Sequence, residues 1–183
     1  RQVTIDRQSH SLQVPFFVMA TQNPLEQAGT APLPESQLDR FMMRINVGYP
    51  SREAERDLLL GQNRHELIST LQPIFQPEQI LDLQGQVQNI HASEAIVTYV
   101  QDLLDFTRQD PRFTSGLSPR AGLDLVHCAK AWAMLQARDF VLPEDVQSVM
   151  PWVTAHRVRL TEPVSSGSSH RIVKNLLLEV PVH

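Results

Sequence analysis

Lysine is almost missing from this 183-residue sequence. Fourteen arginines carry nearly all the positive charge, and the two lysines, Lys130 and Lys174, follow an alanine and a valine. A phosphate-binding loop of the form G-x-x-x-x-G-K-[ST] requires a lysine directly after a glycine, so none lies within these residues. Cysteine occurs once, at Cys128, which excludes an internal disulfide framework and a multi-cysteine zinc or iron–sulfur centre, and suits a reducing cytoplasmic setting. The longest apolar runs, such as residues 14–20, fall well short of the ~20 residues of a membrane helix, and the amino end lacks a signal-peptide layout. No membrane insertion is expected. The net charge of -4 gives no general attraction for nucleic acid. There is no G-x-S-x-G and no H-E-x-x-H, and the seven histidines are scattered without paired ligand spacing, so no metal site is expected. His127 and Cys128 are adjacent on a helical pattern and point about 100° apart, which favours structural roles for both. What remains is an ordinary globular mixture, 42% hydrophobic and 20% charged.

The first fifty residues read as β-rich. Residues 3–6 alternate apolar and polar, and the polar stretch 7–11 turns the chain back toward Leu12 and Val14 as a hairpin. Phe16-Phe17-Val18-Met19-Ala20 reads as a strand covered on both faces, as in a parallel sheet. A loop with Pro24, Gly29, Pro32 and Pro34 follows, tightening into a helical turn over residues 35–38. Met43, Ile45 and Val47 predict a further strand ending at Gly48-Tyr49-Pro50.

Beyond Pro50 the pattern is helical. Ser51 caps a helix reaching to about Gly61, and Pro77-Glu78 opens a second with Ile80, Leu83 and Val87 in its stripe. Ser93-Glu94 opens a third that Asp110-Pro111 closes. Ser118 at the N-cap and Pro119 at N1 start the strongest helix, to about Gln136, with a stripe of Ala121, Leu125, Cys128, Trp132 and Leu135. Another starts at Pro143 and is expected to break at Pro151 into a second short helix reaching about Val158. After the serine-rich residues 165–169 a last helix presents Ile172, Val173, Leu176, Leu177 and Val180.

Three polar residues stand out chemically. Asn23 follows the most apolar strand, where open α/β sheets bind ligands; its amide can orient a water or contact a phosphate oxygen, or simply start an Asn-Pro turn. Arg40, in Leu38-Asp39-Arg40-Phe41, carries a planar charged fork suited to phosphate, though a surface Asp–Arg pair explains it equally. Arg120 falls in the first turn of the helix capped by Ser118, where a cation opposes the helix dipole. Either it meets an anion there or it is a tolerated exposed arginine.

Residues 16–24, FFVMATQNP, followed by residues 32–41, PLPESQLDRF, then Gly48-Tyr49-Pro50 and Leu117-Ser118-Pro119-Arg120-Ala121 in the same order and spacing, strongly resemble the MoxR family of AAA+ ATPases. A looser resemblance extends to magnesium-chelatase subunits. The resemblance implies an α/β remnant of an AAA+ core followed by an all-α helical lid domain, mainly α overall. It implies core residues 1–50, a linker helix over 51–60 and a lid over 61–183 carrying sensor 2. It assigns Asn23 to sensor 1, Arg40 to the arginine finger and Arg120 to sensor 2, the contact to ATP.

The same resemblance implies a carboxyl-terminal portion without Walker A and Walker B, so ATP and magnesium belong to the complete protein and none is expected bound to this chain alone. It further implies a ring, hexameric by family likeness, chaperone-like remodelling or maturation of client proteins, and partners bearing a von Willebrand A domain. Residues 1–50 are expected to be poorly ordered or rearranged without a covering partner, while the lid folds alone. The competing reading is a non-catalytic helical adaptor or protein-binding module, supported by the missing phosphate loop.

Overall fold

A computed structural model describes residues 2–22, 33–61, 68–161, 172–173 and 175–182. The chain divides into two compact units, one of residues 1–16 and 45–82, the other of residues 17–44 and 83–183.

In the first unit, β1 (Gln2–Ile5) pairs antiparallel with β2 (Gln8–Ser11), with Ile5 opposite Gln8. The hairpin forms, but it turns earlier than the alternation suggested. Asp6 and Arg7 both adopt positive φ, 50° and 67°, the two-residue turn whose twist matches that of paired strands. Helix α1 (Glu35–Leu38), in the second unit, is the single turn anticipated there. Back in the first unit, α2 (Arg52–Leu59) starts where expected, because Ser51 Oγ accepts the Ala54 N–H at 3.2 Å and satisfies one of the unbonded donors of the first turn.

Two expected strands are not formed. Residues 16–20 and 43–47 are assigned to no strand, and Phe17, Val18, Met19, Ile45 and Val47 are exposed. A strand exists only through its neighbour, and an apolar run supplies the side chains for a sheet without supplying the second edge.

The core of the second unit is helical. It is built from α3 (Pro77–Asn89) through its carboxyl-terminal turns, α4 (Glu94–Gln109), α5 (Pro119–Leu135) and α6 (Pro143–Thr154). Ser93 and Ser118 cap α4 and α5 by accepting the N–H of Ile96 and Ala121. Helix α5 packs on both α4 and α6, burying Leu103, Leu125, Val146, Met150 and Val153 completely or nearly so. Val173, Leu176 and Val180 from the last stretch join this core.

The α5 stripe follows the expected face only through Cys128. Beyond it the buried positions are Ala129 and Ala133, while Leu135 is exposed and Trp132 partly so. Burial drives the Cys128 thiol pKa up to about 11, with the neighbouring Asp124 adding to it. Pro151 does not split α6, which runs unbroken to Thr154. The proline removes one backbone donor three residues before the helix ends, and Met150, Pro151, Val153 and Thr154 are all buried there.

The second unit also contains a ribbon that periodicity did not reveal: β3 (Phe113–Ser115) pairs antiparallel with β4 (Arg159–Leu160). It fixes the segment that leaves α6, residues 155–158. Among the described residues no helix is long and apolar enough to cross a membrane.

Candidate functional site

The second unit gathers a charged cluster around Asp39. The cluster begins with the loop before α5. Leu117 is held from both sides by α4: its N–H donates to Thr107 Oγ1 at 3.0 Å, and its carbonyl accepts from Arg108 Nε at 3.1 Å. Gly116 packs so tightly on the Arg108 backbone that a side chain would not fit. Ser118 is therefore delivered in a fixed position, and its hydroxyl does two jobs. Its Oγ accepts the Ala121 N–H, and its O–H donates to Asp39 Oδ1 at 2.9 Å.

Asp39 follows α1 directly, and its carboxylate sits at the amino end of α5, where the helix dipole favours negative charge. Arg120 Nη1 lies 3.5 Å from Asp39 Oδ2, and Arg157 Nε lies 3.5 Å from Asp39 Oδ1. The anion that answers the unfavourable placement of Arg120 is thus, in this structure, a carboxylate of the same chain. The Arg120 side chain remains 52% exposed.

Arg157 was not singled out from the sequence. Its side chain is only 2% exposed. Nη2 donates to the carbonyls of Phe41 at 2.8 Å and Asp39 at 3.3 Å, and to Asp124 Oδ2 on α5 at 2.5 Å. Beside it, His156 Nε2 donates to the same Phe41 carbonyl at 2.9 Å, which leaves Nδ1 as the bare nitrogen of a neutral ring. Burial lowers the His156 pKa, and the nearby charges of Arg157 and Arg44 lower it further, against the raising effects of the Phe41 hydrogen bond and of Asp39. The backbone N–H of Arg44 donates to the Trp152 carbonyl at 2.9 Å, and Glu35 pairs with Arg159 at an exposed position. Residues 35–44 are in this way tied along their whole length to α5, α6 and the segment after α6.

Arg40 lies between the two carbonyls that Arg157 holds. It is exposed, and its guanidinium has no ion pair or hydrogen bond among the described residues. Of the three residues singled out for phosphate chemistry, Arg120 pairs with Asp39, the residue before exposed Arg40, while Asn23 lies outside the described residues. A short signal for Arg157 was present in the sequence: an arginine directly before an apolar Val158 and four residues after Val153, both buried, is an unusual charge in a core stretch.

ATP and magnesium are the groups that the resemblance implies for the complete protein. Among the described residues no group of three or more His, Cys, Asp or Glu side chains is arranged to hold a metal ion. The described residues thus form no all-protein cage for a bare cation. Arg40 and Arg120 fit charge contacts to phosphate oxygens, but with no G-x-x-x-x-G-K-[ST] in these residues there is no cradle to grip a triphosphate.

Comparison with known proteins identifies the family. The family model described as "ATPase family associated with various cellular activities (AAA)" matches residues 1–43, and the one described as an AAA lid domain matches residues 105–176. YeaC of Bacillus subtilis is 44% identical over 86% of this chain and 49% of its own length. The chaperone MoxR1 of Mycobacterium tuberculosis is 37% identical over 98% of this chain and 50% of its own. The chain thus spans about half the length of these curated relatives. A crystal structure of a candidate ATPase from Cytophaga hutchinsonii superposes with a TM-score of 0.83 at 33% identity, over 100% of this chain and 58% of that one. Sequence, relatives and fold converge: this chain belongs to the MoxR family of AAA+ ATPases and corresponds to its carboxyl-terminal portion, part of the α/β core followed by the helical lid.

Proposed function

We propose that the complete protein is a MoxR-type ATPase that couples ATP hydrolysis to chaperone-like remodelling or maturation of client proteins, and that Arg40 is its arginine finger. The observation that carries this reading is the contrast between neighbours. Asp39 is tied to Ser118, Arg120 and Arg157, whereas the exposed Arg40 on the same anchored turn has no ion pair or hydrogen bond to its guanidinium among the described residues. A cation presented without a partner of its own is suited to charge that arrives from elsewhere, such as phosphate on a neighbouring subunit.

In this reading Arg120 is sensor 2 and Asn23 is sensor 1. Residues 1–50 belong to the core, 51–60 form the linker helix and 61–183 the lid. Bound ATP supplies the transferable phosphoryl group, with magnesium held by residues outside this chain. Arg40 contributes charge neutralisation from across a subunit seam, and Arg120 reports bound phosphate to the lid. A ring, hexameric by family likeness, follows from the trans role. Cytoplasmic location and partners with a von Willebrand A domain belong to the same proposal, and the name of MoxR1 as a chaperone supports the remodelling role. The isolated chain should bind no nucleotide tightly, since it lacks the cradle.

The test is Arg40→Ala in the complete protein. Turnover should fall by about 10³–10⁵-fold, the range known for arginine fingers, with ATP affinity unchanged. Unchanged turnover removes Arg40 from the mechanism.

A further inference from the structure

We infer that Arg157 is a positioning residue for Arg40: it fixes the backbone on which Arg40 is displayed, and so sets the geometry of the finger from inside the lid. This rests on the reading of Arg40 given above and adds a residue that acts through it.

The geometry is specific. Arg157 Nη2 reaches the carbonyl on each side of Arg40, that of Asp39 and that of Phe41, and His156 adds a second donor to Phe41. Arg40 is thus bracketed by two peptide groups that share one guanidinium nitrogen, and its own side chain is left to solvent. Arg157 is itself held by Asp124 on α5 and by its place between α6 and β4. Nε faces Asp39 at 3.5 Å, so the same guanidinium also orients the carboxylate that meets Ser118 and Arg120. One buried cation therefore ties the backbone at Arg40 to the amino end of the helix bearing Arg120. Lysine would not substitute: a single ammonium cannot place one nitrogen at the Asp39 and Phe41 carbonyls and Asp124 while a second, rigidly linked nitrogen faces the Asp39 carboxylate.

Two measurements test this, one on geometry and one on catalysis. The Arg44 amide, bonded to the Trp152 carbonyl, reports whether residues 39–44 stay docked. In this chain, Arg157→Ala should speed hydrogen exchange at Arg44 by about tenfold or more while amides in the middle of α5 keep their protection. Should Arg157→Ala fail to fold, Arg157→Lys retains the buried charge and should show the same selective loss. Unchanged exchange at Arg44 in a folded variant overturns the positioning role.

In the complete ATPase, Arg157→Lys should lower kcat by about 10–10²-fold with little change in KM, as expected for a misplaced catalytic group. Adding Arg157→Lys to Arg40→Ala should cost nothing more, because the two act as one unit. If the two losses multiply, Arg157 acts independently of Arg40 and the inference fails. If Arg40→Ala alone leaves turnover intact, the reading of Arg40 fails, a result distinct from unchanged exchange at Arg44.

Discussion

The Ser118 hydroxyl donates to Asp39 Oδ1 at 2.9 Å while its oxygen caps α5, so one side chain joins the start of a helix to a turn 79 residues earlier. Through that bond the turn before Arg40 and the turn carrying Arg120 become parts of one structure. The anchoring of Leu117 by Thr107 and Arg108 makes the bond an extension of the α4–α5 packing.

Asp39→Ala should therefore destabilise the second unit as well as loosen the site. It removes the acceptor for Ser118 and one of the two carboxylates facing buried Arg157. We expect a loss of about 1–3 kcal/mol, read as a lower denaturant midpoint, with Arg40→Ala at its exposed position close to the parent. Equal midpoints for Asp39→Ala and the parent would mean the cluster contributes nothing to folding.

Gly116→Ala probes the same loop from behind. A Cβ at Gly116 would come within 2.5 Å of Arg108 Cγ, 2.7 Å of its Cα and 2.8 Å of its N, and backbone cannot step aside as a side-chain end can. The expected cost is about 1–3 kcal/mol from overpacking. At Gly122 the contact is with Leu104 Cδ1 at 2.8 Å, a side-chain tip, so Gly122→Ala should be the milder change in thermal denaturation.

Acid should weaken the unit through His156. Its pKa in the folded state lies below the usual 6.5, first because it is buried and then because Arg157 and Arg44 are near. The unfolded chain then binds the proton more readily, so this contribution to stability is complete above about pH 6.5 and is lost as pH falls through the lower, folded value. Replacing His156 with Gln, whose amide can still donate to the Phe41 carbonyl, should flatten the slope of stability against pH in that window. An identical slope in the variant would show that His156 does not titrate as described.

Helix starts were legible in the sequence because capping is local: Ser51, Ser93 and Ser118 each bond an N–H three residues on, and all three positions were read correctly. The strands were less legible, since residues 16–20 and 43–47 have strand composition yet are assigned to no strand, and composition carries no knowledge of a neighbour. The unbroken α6 was missed for a related reason. The rule against proline in a helix is a local one, and burial of Pro151 among Met150 and Val153 overrode it. Within the site, Arg40 and Arg120 were singled out by local chemistry, a charged fork beside a strand and a cation set against a helix dipole, and their roles came from the resemblance. Asp39 was read only as a neighbour of Arg40, and Arg157 was not read at all. Their importance arises from contacts such as Arg157 to Asp39, 118 positions apart, that no window along the chain contains.

The central claim is that Arg40 serves a nucleotide on an adjacent subunit, and mixing two inactive variants of the complete ATPase tests it most directly. One variant carries Arg40→Ala and binds ATP; the other keeps Arg40 but cannot bind ATP. If the finger acts in trans, combining them restores turnover that neither shows alone, because seams form in which intact Arg40 meets bound ATP. A mixture as inactive as its components, assembled into the same rings, would contradict the account.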